Sequence, residues 1–157
     1  MVRAAALGFD VGTSAVKAGL LWLDSHEPML TVSQPYPTAR PEPGWVEQDP
    51  RDWIAAMAEC WTELEATVGP LELRSVGLCS QVNTHLFVDE AMAPLGPAIT
   101  WQDVRAAEAG AELGRDASFA LSRLLWLEQA QPRLRAATRW LLLPKDYCLV
   151  ELTGDLA

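Results

Sequence analysis

Apolar residues open the chain in short runs. Residues 4–9 form the first, ending on Asp10; residues 16–23 form the second; residues 29–34 form a third after the polar turn 24–28. Runs this short, punctuated by Gly, Ser, Thr and Asp, predict three consecutive antiparallel strands with polar turns. Residues 35–48 hold four prolines and one glycine and predict a stiff loop. The period then changes. Trp53, Met57, Cys60, Trp61, Leu64 and Val68 recur every three or four residues behind Asp49-Pro50, an N-cap followed by proline at the first helical position. That spacing predicts an amphipathic helix, stopped by Gly69-Pro70.

A buried strand is predicted at 73–79, followed by a polar insert at 80–84 and a short apolar run at 85–88 closed by Asp89-Glu90. A further extended piece is expected at 98–101. From Asp103 the sequence turns Ala- and Leu-rich and reads as helical, with Pro132 and Pro144 each opening a helix and Gly154 near the end of the last. A meander, a helical crossover, more strands and then helices imply a mixed sheet with helices against it, an α/β class.

Composition narrows the choices. The 157 residues fit one domain or part of a larger one, and half of them are hydrophobic, enough for a real core. A net charge of −9 with no basic patch argues against nucleic acid as a partner. A phosphate site in such a chain must rest on local donors and a metal rather than on the overall field. Cys60, Cys79 and Cys148 lie in apolar contexts without a Cys-x-x-Cys pair, and read as buried free thiols of a reducing, cytoplasmic compartment. His26 and His85 are too few and too far apart for a zinc site. The N-terminal apolar run is too short for a signal peptide, and no stretch is long enough to span a bilayer, so no membrane partner is expected.

The segment Asp10-Val11-Gly12-Thr13-Ser14 sits between the first two predicted strands. Glycine lets backbone N–H groups approach a ligand, Thr13 and Ser14 offer hydroxyls, Asp10 can hold a magnesium ion directly or through water, and Lys17 can add positive charge near a phosphate. Together they suit a bound triphosphate. The plain alternative is a β-turn, which favours the same residues. The spacing is neither a Walker A loop nor a dinucleotide fingerprint.

GFDVGTSAVKAGLL resembles the first phosphate motif of the actin-like ATPase superfamily. PGWVEQDPRDWIAAM at 43–57, VGLCSQVNTHLFVDEAMAPLGPAITWQDVRA at 76–106 and LLLPKDYCLVELTGDLA at 141–157 resemble the FGGY carbohydrate kinases, nearest the xylulokinase-like branch. The resemblance implies a ribonuclease-H-like, actin-like ATPase core, in which residues 1–157 are the N-terminal portion of the first domain. It implies ATP and Mg2+ as cofactors and a sugar or polyol as substrate. Asp10 would stand near the metal and the transferred phosphoryl group, with Thr13, Ser14 and Lys17 at the ATP phosphates. Gln81, Val82 and Asn83 fall where the family places substrate-binding residues, and Trp101, Asp103 and Arg105 form a W-x-D-x-R motif. Amide, carboxylate and indole groups suit a sugar, which needs donors, acceptors and an apolar plate for its C–H face. The simpler roles are a polar loop capping a strand for Gln81 and Asn83, a core aromatic for Trp101 and a helix N-cap for Asp103. Lys145-Asp146 reads as the first turn of a structural helix.

Three departures from the family pattern bear on function. Xylulokinases carry Met-His where this chain has Val82-Asn83, which alters the hydrogen bonds offered to the sugar and puts xylulose itself in question. His85 would share the Asn83 side if the segment is extended. The link between Trp101 and SRLLWLEQ at 122–129 is compressed to an Ala-rich stretch and GRDASFA, which is expected to leave the sugar pocket more open. The family's catalytic Asp and its ATP-binding second domain lie downstream of Ala157, so these residues alone are not expected to phosphorylate a sugar. A non-catalytic sugar-binding short protein and another actin-like ATPase stand as alternatives, and a homodimer is kept open as the assembly.

Overall fold

The computed structural model describes residues 2–155. They divide into two compact units. One runs to Tyr36 and includes Arg51–Gln81; the other comprises Pro37–Pro50 and the chain from Val82 onward.

The first unit is built on four strands, β1 (Arg3–Val11), β2 (Ala15–Trp22), β3 (Leu30–Pro35) and, after β4 (Glu47–Gln48) and α1 (Pro50–Val68), β5 (Leu71–Ser80). Their order is β3-β2-β1-β5. The meander gives antiparallel β1–β2 and β2–β3 pairs, while the helical crossover brings β5 alongside β1 in parallel. The expected mixed sheet is therefore present. Alternate residues Ala5, Leu7, Phe9 and Val11 of β1 and Val16, Ala18, Leu20 and Trp22 of β2 are buried. So are Trp53, Met57, Cys60 and Leu64 of α1, the stripe that the 3.6-residue period picks out. Contacts from Cys60 Sγ to the Val16 carbonyl at 3.7 Å and from Gln34 Nε2 to Glu63 at 2.9 Å hold α1 to the sheet. The opposite face of the sheet is open. Cys79 lies on this edge strand and is exposed, contrary to the expected burial of all three thiols; Cys60 and Cys148 are buried. Apolar neighbours in sequence did not reveal that, among the described residues, β5 is the edge of its sheet.

In the second unit β4 pairs antiparallel with β7 (Ala98–Ile99), and β6 (Leu86–Val88) pairs with β8 (Trp140–Leu142). The helices are α2 (Ala107–Glu112), α3 (Ala120–Ala130), α4 (Pro132–Ala137) and α5 (Pro144–Thr153). Phe87, Ile99 and Leu127 form a buried core, with Leu124, Trp126, Leu134 and Leu141 packed on it. Pro132 and Pro144 do open helices, and Gly154 ends α5 in the left-handed conformation at φ 74°. Asp146 Oδ2 accepts the Leu143 N–H at 3.0 Å, the helix-start role expected of that residue. Three expectations change. β4 lies inside the proline-rich loop, β8 inside the presumed helical tail, and the helical stretch after Asp103 begins only at Ala107. Strands of two or three residues carry too little periodicity to be read, and tertiary pairing makes them.

Candidate functional site

The turn between β1 and β2 is fixed by its own backbone. The Gly12 N–H donates to the Ala15 carbonyl at 3.0 Å, and a Cβ at Gly12 would lie 3.1 Å from that oxygen, so the tight turn favours glycine. The Tyr36 hydroxyl donates to the Gly12 carbonyl, and its N–H donates to the Ser14 carbonyl at 3.2 Å. This clamp from the end of β3 was not legible in the sequence. Ser14 and Lys17 are exposed, while Asp10 and Thr13 are half-buried.

Strand alternation puts Asp10 on the open face, where it pairs in register with Lys17 on one side and Cys79 on the other. Asp10, Lys17, Gly8, Gly19, Met29 and Cys79 line a groove of about 920 Å³ on that face. The crowding around its sulfur, and then the Asp10 carboxylate, push the Cys79 thiol up from its ordinary pKa. No cluster of three potential metal-binding side chains occurs among the described residues. One carboxylate beside two hydroxyls fits Mg2+ that arrives with a phosphate group, since that ion often uses one or two carboxylates and completes its shell with water and phosphate oxygen.

The second unit brings together another set. Val82 is 70 % exposed. Asn83 turns the chain with φ 55°, a left-handed conformation that asparagine tolerates better than most side chains. That turn breaks the extended path on which His85 would have shared the Asn83 side. His85 is instead buried, exchanging backbone hydrogen bonds of 2.9 Å with Ile99. Thr84 is fully buried, and its hydroxyl accepts the Trp101 N–H at 3.1 Å, which ties the insert to the start of the W-x-D-x-R motif. Trp101 is 45 % exposed, so a plain core role does not describe it. The first unit retains Gln81, whose N–H donates to the Val11 carbonyl at 2.9 Å beside the glycine turn.

Asp103 and Arg105 are placed differently from Trp101. Asp103 is 1 % exposed. Its Oδ2 accepts the Val46 N–H at 2.6 Å and Arg105 Nη2 at 2.7 Å; its Oδ1 accepts the Arg105 N–H and Nε, both at 2.9 Å. Arg105 Nη2 also reaches Glu47 at 2.8 Å, and its guanidinium lies 3.6 Å from the centre of the Trp45 ring and 5.4 Å from that of Trp126. A planar, forked cation suits this arrangement as lysine does not. Asp103 is not the N-cap of α2, a position held by Ala106. The sequence offered Glu47 and Trp45 within the GWVEQDP segment, with no sign that they would meet Arg105.

Arg123 was also missed. It is fully buried on α3, donating through Nη1 to the Ile99 carbonyl, through Nη2 to the Thr100 carbonyl and through Nε to the Ala117 carbonyl at 3.3 Å. It thereby joins the residues before Trp101 to the compressed link. Burial pushes its pKa down to about 10, which leaves it charged at neutral pH. The signal available in the sequence was a charge four residues before Leu127, on the helix face that is buried.

Residues 5–157 match the model of the N-terminal domain of the FGGY family of carbohydrate kinases. The chain is 32 % identical to a xylulose kinase of Klebsiella pneumoniae over 169 residues, covering 96 % of this chain and 34 % of that protein. It is 34 % identical to a glycerol kinase of Thermococcus onnurineus over 82 % of this chain and 29 % of that one. A crystal structure of a xyloylose kinase from Brucella ovis superposes with a TM-score of 0.91 at 32 % identity, covering 96 % of this chain and 34 % of the other. The chain thus spans about a third of the length of these relatives.

Proposed function

The chain belongs to the FGGY family of carbohydrate kinases, and on that footing we propose that it supplies the N-terminal part of an ATP-dependent kinase acting on a hydroxyl of a sugar or polyol. The observation that carries this reading is the position of Asp10 and Lys17. They stand side by side at the end of β1–β2, on the open face, next to a turn that leaves little room for a Cβ at Gly12. Opposite charges in register also make an ordinary cross-strand pair; what favours the phosphate reading is that both line the open groove beside the glycine turn.

Phosphoryl transfer is mostly positioning and neutralisation of charge spread over oxygens. Thr13 and Ser14 would donate hydroxyl hydrogens to phosphate oxygens, and Lys17 would offset their charge. Mg2+ bound with the nucleotide would supply further neutralisation, and Asp10 is the residue that would hold it. Within the second unit, Asn83 would exchange hydrogen bonds with a sugar hydroxyl, while Val82 and the exposed part of Trp101 would cover the C–H face. Asp103 and Arg105 would act at one remove, by fixing the loop that carries Trp101. In this reading the base toward the sugar hydroxyl is an Asp that the family carries outside the matched N-terminal domain.

Thermal unfolding of the chain with D-xylulose, a pentitol, glycerol and Mg-ATP tests this directly. A ligand held at about 100 times its Kd stabilises the folded state by about 2.7 kcal/mol. A dose-dependent rise with at least one carbohydrate is expected. No rise with any of them, alone or with Mg-ATP, would remove the sugar-binding role proposed for this segment.

A further inference from the structure

The compressed link does not leave Asn83 unsupported. Asn83 Nδ2 donates to the Ser118 hydroxyl oxygen at 3.3 Å, although 35 residues separate the two. Ser118 is 8 % exposed, and its N–H donates to Asp116 Oδ1 at 2.8 Å. The Ser118 N–H, and then its hydroxyl, hold the Asp116 carboxyl below the usual carboxylate range. This gives the chain of bonds a direction. An ionised carboxylate only accepts, so the Ser118 O–H donates to Asp116, and its oxygen is left to accept from Asn83. The amide hydrogens of Asn83 therefore face Ser118, and Oδ1 is the end left for another partner.

The segment is rigidly seated. Ser122 Oγ donates to the Asp116 carbonyl at 2.8 Å, and Arg123 binds the Ala117 carbonyl together with those of Ile99 and Thr100. The same Arg123 thus fixes both the Asp116–Ser118 turn and the backbone leading into Trp101. Asn83 is in turn committed to the left-handed region, where few other side chains sit without strain.

We propose that Asn83, Ser118 and Asp116 form the specificity-determining relay of the sugar site, presenting Asn83 Oδ1 as a fixed acceptor for one hydroxyl of an open-chain ketose or polyol. The inference rests on the sugar-site reading above. Without Ser118 the carboxamide can rotate and offer either end, so discrimination between epimers at that hydroxyl is lost while general affinity for polyols is kept.

The test is calorimetric titration of the 157-residue chain and its Ser118→Ala and Ser118→Thr variants with D-xylulose, D-ribulose, xylitol and ribitol. The native chain is expected to prefer one epimer of a pair. Ser118→Ala should weaken binding of the preferred epimer by roughly 3- to 10-fold, the range of one neutral hydrogen bond, and leave the other within about twofold. Ser118→Thr, which keeps the hydroxyl, should restore the preference. A relay with a purely structural role would lower the affinity of every compound alike, or lower Tm with the ratio unchanged, and either result overturns the proposal while the sugar site stands. Equal binding of both epimers by the native chain also overturns it. Binding of no carbohydrate by any of the three proteins would overturn the sugar site itself.

Discussion

His85 is 3 % exposed, and its Nδ1 finds no hydrogen-bond partner among the described residues. Burial, then the charge of Arg123, pushes its pKa down from 6.5 to about 4. Between those values the unfolded chain binds a proton that the folded chain refuses, so stability rises with pH across that window. The contribution is fully present above about pH 6.5 and is lost as pH falls toward 4. Urea unfolding of His85→Phe should show a pH slope shallower than the native one by about 1 kcal/mol per pH unit between pH 6.5 and 4.5; an identical slope would show that His85 is not held neutral. Asp10 is tested by chemistry. In a family-length kinase carrying this segment, Asp10→Asn should lower kcat by roughly 100-fold or more, the scale seen when a group stabilising transition-state charge is removed. The sugar KM should stay within about threefold. A kcat near the native value would take Asp10 out of the phosphoryl site.

One cation joins the loop elements of the second unit that carry Glu47 and Asp103. Arg105 satisfies both Asp103 and Glu47 while covering Trp45, and the side chains of Asp103 and Arg105 are 1 % and 4 % exposed. Removing the guanidinium leaves two carboxylates facing each other with little water, which costs about 3–5 kcal/mol. Arg105→Met should therefore lower the denaturation midpoint sharply, and Arg105→Lys should recover only part of the loss because an ammonium cannot span both acids. Full recovery by lysine would mean that charge alone matters. The same elements show what a sequence can and cannot disclose. The stripe of α1 and the alternation in β1 and β2 repeat often enough to be read directly. The DVGTS turn and the W-x-D-x-R motif were legible as motifs. That Trp101 is half-exposed while Asp103 and Arg105 turn inward was not, because it follows from Glu47, Trp45 and Val46, some 55 to 60 residues away in the chain. The Asn83–Ser118 bond escaped for the same reason: the link was visible as a shortened segment, and its contact depends on where α3 is anchored by Arg123.

Taken as a whole molecule, the 157-residue chain leaves apolar surface uncovered in its first unit. Leu21 and Leu23 at the end of β2 are 45 % and 52 % exposed, and Leu73 and Val76 on the edge strand β5 are 38 % and 47 % exposed. An unpaired edge with apolar side chains is a template for association. The chain in isolation should bind ANS and self-associate as concentration rises, and Val76→Lys should reduce both; an ANS-silent monomer across that range would mean that this face is protected. No helix among the described residues is long and apolar enough to cross a membrane, so the uncovered face is not accompanied by a spanning segment. The family match covers residues 5–157 and about a third of each relative's length, and the sugar-binding role proposed for the chain requires that this third itself contacts carbohydrate. Site-resolved NMR of the 15N-labelled chain titrated in turn with D-xylulose, xylitol and glycerol decides this most directly, one responding compound being enough. Saturable shifts concentrated in the amides of Val82, Asn83 and Thr84 and in the Trp101 indole are expected; shifts that are absent, or scattered without these residues, would contradict the account.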